Sequence, residues 1–137
     1  MPRYLRFEEL PVWQDGARLY IRVLDLMESS GLPLTPGFRS QLDRAALSVS
    51  NNIAEGFERA TTRELLSFLA IARGSAGEVR SMIAVVSPRP SLDRFRRGLD
   101  QISGIADSCA LQLTAWAGSI EDSPVQCKRH LTGARAG

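Results

Sequence analysis

The stretch Ser48-Val49-Ser50-Asn51-Asn52-Ile53-Ala54-Glu55-Gly56 places polar side chains inside a segment that otherwise has the pattern of a buried helix. Its apolar positions, Val49 and Ile53, continue one face of that helix. Its polar positions recur at helical spacing beside this face: Ser48, Asn51 or Asn52, and Glu55. Polar groups buried between packed helices cost free energy unless they find hydrogen-bond partners. The stretch therefore predicts either a structural hydrogen-bond network or a site that binds something.

Outward from this stretch, apolar periodicity predicts four helices separated by proline and glycine. We expect helices from about Pro11 to Ser29, Pro36 to Phe57, Thr61 or Thr62 to Val86, and Ser91 to Ser119. Thr35 is a suitable N-cap, and Pro36 fits the first helical position. Thr61 and Glu64 fit a capping box in which the glutamate side chain reaches back to the threonine backbone.

Each predicted helix carries an apolar stripe, and three of the four stripes keep a period near 3.5 residues. The fourth stripe runs unbroken through Leu92, Phe95, Leu99, Ile102, Ala106, Cys109, Leu113, Trp116 and Ile120. The second follows Phe38, Leu42, Ala45, Val49 and Ile53. The first and third are predicted to follow Leu10, Trp13, Ala17, Tyr20, Leu24 and Met27, and Leu65, Phe68, Ala72, Ser75, Val79, Met82 and Val86.

A period near 3.5 with short connections predicts an all-α fold, an up-down-up-down left-handed four-helix bundle. The bundle domain is expected to span residues 1–121, and residues 122–137, which are small, polar and basic, are predicted to be disordered. Apolar residues beside the fourth stripe, such as Ile105 and Leu111, widen it toward a bundle core or a second interface. This broad stripe predicts an oligomer.

A second, polar stripe on helix two is predicted to meet the small residues Gly74 to Gly77 on helix three. The members of this predicted network are Gln41, Arg44, Ser48, Asn52, Glu55, Arg73, Ser75 and Glu78. Within it, we expect Arg44 to pair with Glu78, or Arg73 with Glu55. A network that fixes the register of two helices and a polar cavity that holds a ligand both remain open.

Catalytic and metal-binding arrangements are scarce in this sequence. The single histidine, His130, lies in the tail, so a histidine-based triad cannot form in the body of the bundle. Cys109 falls on a core position, and together with Cys127 it makes no disulfide framework. We therefore predict no catalytic residue, no metal and no cofactor. Two cysteines, no secretion signal and no run of about 20 apolar residues favour a cytoplasmic protein without a membrane association.

Arginine supplies sixteen of the seventeen basic residues, and the net charge is only +2. The residues that could form a basic surface for phosphate are Arg18, Arg22, Arg59, Arg63, Arg94, Arg96 and Arg97. The simpler interpretation is a solvated face balanced by Glu58, Glu64 and Asp93, and phosphate contact is the alternative. Phosphate contact predicts binding that is sensitive to salt and weakly specific for sequence.

Several of these motifs resemble a known family. The stretches Phe7 to Gln14, Gln41 to Ala46, Ser48 to Gly56 and Phe68 to Glu78 are similar to the 23S rRNA-intervening-sequence family of four-helix proteins, which includes the accessory variability proteins of diversity-generating retroelements. The resemblance covers roughly residues 7 to 119. It implies a cytoplasmic bacterial bundle that assembles into a ring-like homopentamer, and the retroelement branch implies RNA or DNA and a reverse transcriptase as partners.

Two functions follow as hypotheses. The first is a non-enzymatic oligomeric module that binds nucleic acid through arginines on the ring. The second is a protein-interaction scaffold with no nucleic-acid role. A small-ligand or metal site at the polar network is a third, weaker option.

Overall fold

Four helices account for most of the chain that the computed structural model describes, residues 4–121. These helices are α1 (Pro11–Met27), α2 (Pro36–Phe57), α3 (Thr62–Val86) and α4 (Arg96–Glu121), with short 3-10 helices at Phe7–Glu9 and Pro90–Phe95. The described residues contain no strand, and the predicted all-α four-helix bundle is confirmed. The predicted disordered tail, residues 122–137, lies outside the described part of the chain.

The helix starts follow from local hydrogen bonding. Thr35 Oγ1 accepts the backbone N–H of Phe38 at 3.1 Å, and Thr61 Oγ1 accepts that of Glu64 at 3.2 Å, so both predicted N-caps are confirmed. The Glu64 carboxylate accepts the Thr61 hydroxyl at 2.9 Å instead of the predicted backbone N–H. The fourth α-helix begins at Arg96, because residues 90–95 form a 3-10 helix after Pro88 and Pro90.

Each helix packs beside its neighbours in chain order, and α1 also packs against α4. One level of contact on the four seams is Gly16 near Ser50, Gly56 near Phe68, Arg73 with Thr114, and Gly98 near Leu26. The polar contacts that follow lie at a second level, and between the two levels the residue numbers change in opposite directions on the two helices, as expected for antiparallel neighbours. Hydrogen bonds and an ion pair mark the four seams: Tyr20 with Asp43 (2.6 Å), Ser48 with Ser75 (2.8 Å), Arg80 with Asp107 (3.4 Å), and Gln112 with Asp15 (2.7 Å). The left-handed sense of the bundle stays a prediction.

The predicted core of α4 is confirmed. The predicted first stripe is correct at Leu10 but is displaced by one residue along α1. All nine members of the predicted fourth stripe are buried. In α1, the buried residues are Val12, Gly16, Leu19, Val23 and Leu26. Both sets keep helical spacing, but a tyrosine hydroxyl needs a polar partner, so Tyr20 lies at the edge of the core and donates to Asp43.

The predicted stripe of α3 is correct at alternate positions. Leu65, Ala72, Val79 and Val86 are buried as expected. Leu69, Ala76 and Ile83 are buried where the pattern had suggested Phe68, Ser75 and Met82. The polar Ser75 and the bulky Phe68 and Met82 instead lie at the border of the core, half-buried.

Close approach of α1 and α2 depends on two small residues. A Cβ atom at Gly16 would lie 3.3 Å from the Cα, Cβ and N atoms of Ser50, which is itself buried. Contacts this tight against backbone leave little room to relax, so only glycine fits here without a shift of the helices. The sequence pattern did not reveal this role of Gly16, because glycine there counted only as an unfavourable helix residue.

The hydrogen bond of Tyr20 makes the free energy of unfolding of the bundle fall at alkaline pH. Its hydrogen bond to Asp43, followed by burial and the carboxylate charge, raises the pKa of the phenol above its ordinary value of 10.0. A raised pKa in the folded state means that the neutral phenol stabilises the fold below about pH 10, and that this stabilisation is lost as the pH rises through the folded pKa. We expect Tyr20→Phe to be less stable than the wild type by about 1 kcal/mol near neutral pH, with a difference that shrinks above about pH 10. Urea unfolding at a series of pH values measures it, and a difference that stays constant to high pH would contradict the linkage.

Candidate nucleic-acid interface and polar groove

The polar stretch of α2 meets α3 through hydroxyl groups. Ser48 Oγ lies 2.8 Å from Ser75 Oγ, and the Asn52 amide donates to both the carbonyl oxygen and the hydroxyl of Ser48 at 2.8 Å. The Ser48 hydroxyl oxygen therefore contacts both Asn52 of the same helix and Ser75 of α3. Its hydrogen bond with Ser75 joins the two helices at this level. These contacts fix the register of α2 against α3, as the structural interpretation of the sequence expects.

An open groove of about 450 Å³ lies above this contact. Its lining includes Gln41 and Arg44 from α2 and Glu78 from α3, together with Ser48 and Ser75 at its floor. Arg44 and Glu78 share the groove, but within residues 4–121 they form no ion pair with each other. The predicted Arg44–Glu78 pair is thus corrected to two charged side chains that border one groove.

The alternative pair, Arg73 with Glu55, is wrong. Glu55 accepts a hydrogen bond from Arg59, which follows the end of α2, at 2.6 Å. Arg73 points to the other side of α3, where Nη1 lies 3.5 Å from the Thr114 hydroxyl of α4. Since the Glu55–Arg59 pair is solvent-exposed, it contributes at most about 1 kcal/mol.

The seven arginines of the predicted basic surface do not form one patch. Arg59 and Arg63 flank the α2–α3 turn, whereas Arg94, Arg96 and Arg97 lie where α4 begins. The 25-residue α3 separates these two ends by about 37 Å. Arg18 and Arg22 lie between them on α1.

Most of these arginines already have local partners. Arg18, Arg22, Arg59 and Arg96 pair with carboxylates at 3.3, 3.1, 2.6 and 3.1 Å. Arg94 donates to the Ser30 carbonyl and lies over the Phe95 ring, 4.3 Å from its centroid. Exposed pairs of this kind are weak and screened by salt, so a phosphate can compete for the same guanidinium groups.

Charge is distributed unevenly between the two ends of the bundle. We call residues 25–39 and 83–100 the arginine end, which carries five arginines and four carboxylates. We call residues 4–15, 55–66 and 115–121 the acidic end, which carries three arginines and seven carboxylates. Arg59 and Arg63 therefore lie in surroundings that repel phosphate, and the arginine end is the better candidate for a nucleic-acid contact.

Two arginines at the arginine end were absent from the predicted surface. Arg89 is exposed in the α3–α4 connection, and its position beside the arginines of early α4 was the signal that could have identified it. Arg39 instead has a structural role, because its guanidinium donates to three backbone carbonyls, those of Met27, Leu32 and Leu34, at 2.8–3.1 Å.

The two motifs that carry the family resemblance thus face each other across the α2–α3 seam, joined by Ser48 and Ser75. A family model described as 23S rRNA-intervening sequence protein matches residues 8–108. The chain belongs to this family. No curated protein matches the chain.

In this 23S rRNA-intervening sequence protein, the core continues beyond the part that the family model matches. Cys109, Leu113, Trp116 and Ile120 of α4 are buried and complete the packing against the other helices. Burial raises the pKa of the Cys109 thiol to about 12, so the thiol stays protonated and unreactive at neutral pH.

Two further features bear on the site. No cluster of three or more histidine, cysteine, aspartate or glutamate residues that could hold a metal ion occurs within residues 4–121. None of the helices in this same part of the chain has the length and apolar character that crossing a bilayer requires.

Proposed function

We propose that this 23S rRNA-intervening sequence protein is a non-enzymatic, homo-oligomeric module that binds the phosphate backbone of RNA or DNA through its arginine end. The observation that carries the proposal is the unequal charge of the two ends of the bundle. A cyclic assembly with parallel bundle axes brings all the arginine ends to one face, which multiplies a modest local charge. The resemblance supports a pentameric ring and a cytoplasmic bacterial setting.

Arg89 and Arg97 are the best residues for testing this contact. Within residues 4–121, the side chain of neither arginine forms an ion pair or a hydrogen bond, and glutamine keeps the backbone hydrogen bonds of Arg89 with Val86 and Leu92, so we expect the variant to keep its fold. We expect an Arg89→Gln/Arg97→Gln variant to bind a labelled RNA or DNA oligonucleotide more weakly. We also expect its dependence of log affinity on log salt to be less steep, by about one unit for each arginine–phosphate interaction that the substitutions remove. Fluorescence anisotropy at a series of salt concentrations measures both quantities.

The matched control is the same pair of changes at the acidic end, Arg59→Gln/Arg63→Gln. This control should bind nucleic acid as the wild type does, because these arginines lie among seven carboxylates. Equal losses in the two variants would contradict the assignment to the arginine end. If the wild type binds neither RNA nor DNA even at low salt, the nucleic-acid role is wrong, and a protein-interaction scaffold becomes the better proposal.

A further inference from the structure

Four glycines on the outer faces of α3 and α4 have no role in packing the described chain. A Cβ atom at Gly74, Gly77, Gly104 or Gly118 would meet nothing within 4 Å. Glycine inside a helix costs up to about 1 kcal/mol relative to alanine. At Gly16 the close contact with Ser50 explains why glycine is present in spite of this cost. The four open glycines point to a contact made outside the single chain.

Exposed apolar side chains accompany these glycines. Ile71 and Val85 on α3 are 50% and 73% exposed, and Leu111 on α4 is 65% exposed. Steps of seven residues link Ile71 to Val85 through position 78, and link Gly104, Leu111 and Gly118. Residues seven apart lie on the same side of a helix, so each set forms one column.

The two columns have complementary profiles. On α3, Ile71 and Val85 project on either side of a hollow at Gly74 and Gly77. On α4, Leu111 projects between hollows at Gly104 and Gly118. In both columns the outer positions are separated by 14 residues, or about 21 Å. Placed antiparallel, Ile71 and Val85 meet the hollows at Gly118 and Gly104, and Leu111 comes opposite Glu78, next to the hollow at Gly74 and Gly77.

Charge is also depleted along both faces. From Ser67 to Val85, nine positions form the outer face of α3, and Glu78 alone among them is charged: Ser67, Ala70, Ile71, Gly74, Gly77, Glu78, Ser81, Ala84 and Val85. On α4, six outer positions are uncharged: Gln101, Gly104, Ser108, Leu111, Ala115 and Gly118. Asp100 borders this patch where α4 begins, and Asp107 beside it is paired with Arg80 of α3. Depletion of charged residues at the centre of a patch is the compositional mark of a protein interface.

We propose that the outer face of α3 binds the outer face of α4 on a second copy of this chain. In this contact, Leu111 of the partner subunit enters the hollow bordered by Gly74, Gly77 and Ser81, as a knob enters a hole. The two faces belong to neighbouring helices of one bundle and differ from each other, so the contact is heterologous, and its repetition forms a ring when the rotation between subunits closes. The inference rests on the homo-oligomer of the proposed function and names its surface.

Mixed disulfide formation tests this contact. In a Cys127→Ser background, Glu78→Cys and Leu111→Cys chains are co-expressed with tags of different length and oxidised with glutathione disulfide. The buried, protonated Cys109 does not compete. We expect a mixed dimer of one chain of each kind on a non-reducing gel, and no dimer when either variant is expressed alone. Dimers in the single-variant samples, or no mixed dimer in a sample that light scattering shows to be oligomeric, would overturn the proposed surface.

A change in assembly provides a second measurement. We expect Leu111→Arg to shift the molar mass from light scattering toward that of one chain, while its helical circular dichroism stays unchanged. The control is Leu5→Arg, because Leu5 is 75% exposed and lies off both faces. An unchanged mass for Leu111→Arg overturns the surface alone. A wild type that is monomeric overturns both the surface and the proposed oligomer, whereas nucleic-acid binding is scored separately by anisotropy.

Discussion

Leu99→Ala is expected to lower the free energy of unfolding by about 2 to 5 kcal/mol. Leu99 is a fully buried residue of α4. It follows Gly98, where a Cβ atom would lie 3.8 Å from Cδ1 of Leu26 in α1. Truncation removes apolar surface from the core and leaves a cavity that rigid neighbouring helices fill only in part. Urea unfolding at one fixed protein concentration measures the change, since the stability of an oligomer depends on concentration.

Leu5→Ala is the matched control for this destabilisation. Leu5 is the same residue type but is largely exposed, so its truncation should change stability by no more than about 0.5 kcal/mol. Similar losses of stability in the two variants would show that burial in the single chain does not account for the contribution of Leu99.

Gly56→Val is expected to destabilise the bundle by about 2 to 3 kcal/mol. A Cβ atom at Gly56 would lie 2.9 Å from Cβ of Phe68 and 3.2 Å from Cδ1 of Leu65, the first of which is closer than real Cβ atoms approach their neighbours. Valine adds two further methyl groups to that clash, so α2 and α3 must separate near their turn. The gain in helix propensity over glycine, less than about 1 kcal/mol, does not offset this strain.

The same substitution at Gly37 isolates the effect of packing. Gly37 lies on the same helix, and a Cβ atom there meets nothing within 4 Å. We expect Gly37→Val to be neutral within about 0.5 kcal/mol. Thermal unfolding of the two variants compares them directly, and a smaller destabilisation at position 56 than at position 37 would contradict the close contact.

Periodicity predicted the helices of this bundle better than it predicted which face of each helix is buried. On α4, polar and apolar residues separate cleanly, and all nine predicted core positions were correct. On α1, two adjacent stripes are apolar, and the sequence alone could not decide between Leu19 and Tyr20. The choice depends on Asp43, a hydrogen-bond partner 23 residues away that only the folded chain brings near.

The candidate site was predictable in part for a similar reason. Small polar residues on two helices predicted that the polar stripe of α2 meets the small residues of α3, and the Ser48–Ser75 hydrogen bond is where the two helices join. The predicted ion pair between Arg73 and Glu55 is wrong because Glu55 pairs with Arg59, four residues later in the turn that follows α2. Local i,i+4 pairs of this kind compete with contacts between helices, and charge spacing alone does not rank them.

Folding of this bundle requires three short loop closures and one long one. Hydrogen bonds between helices that follow each other in the chain join residues 23 to 41 positions apart. The hydrogen bond between Gln112 and Asp15, across the α1–α4 seam, joins residues 97 positions apart. Closure entropy grows slowly with length, so the long closure costs only about 1 kcal/mol more than a short one. The long closure nevertheless follows the formation of the helical hairpins, because contacts between nearby parts of the chain form first. The α1–α4 seam is therefore where native-state opening should begin, with the three helical hairpins still formed.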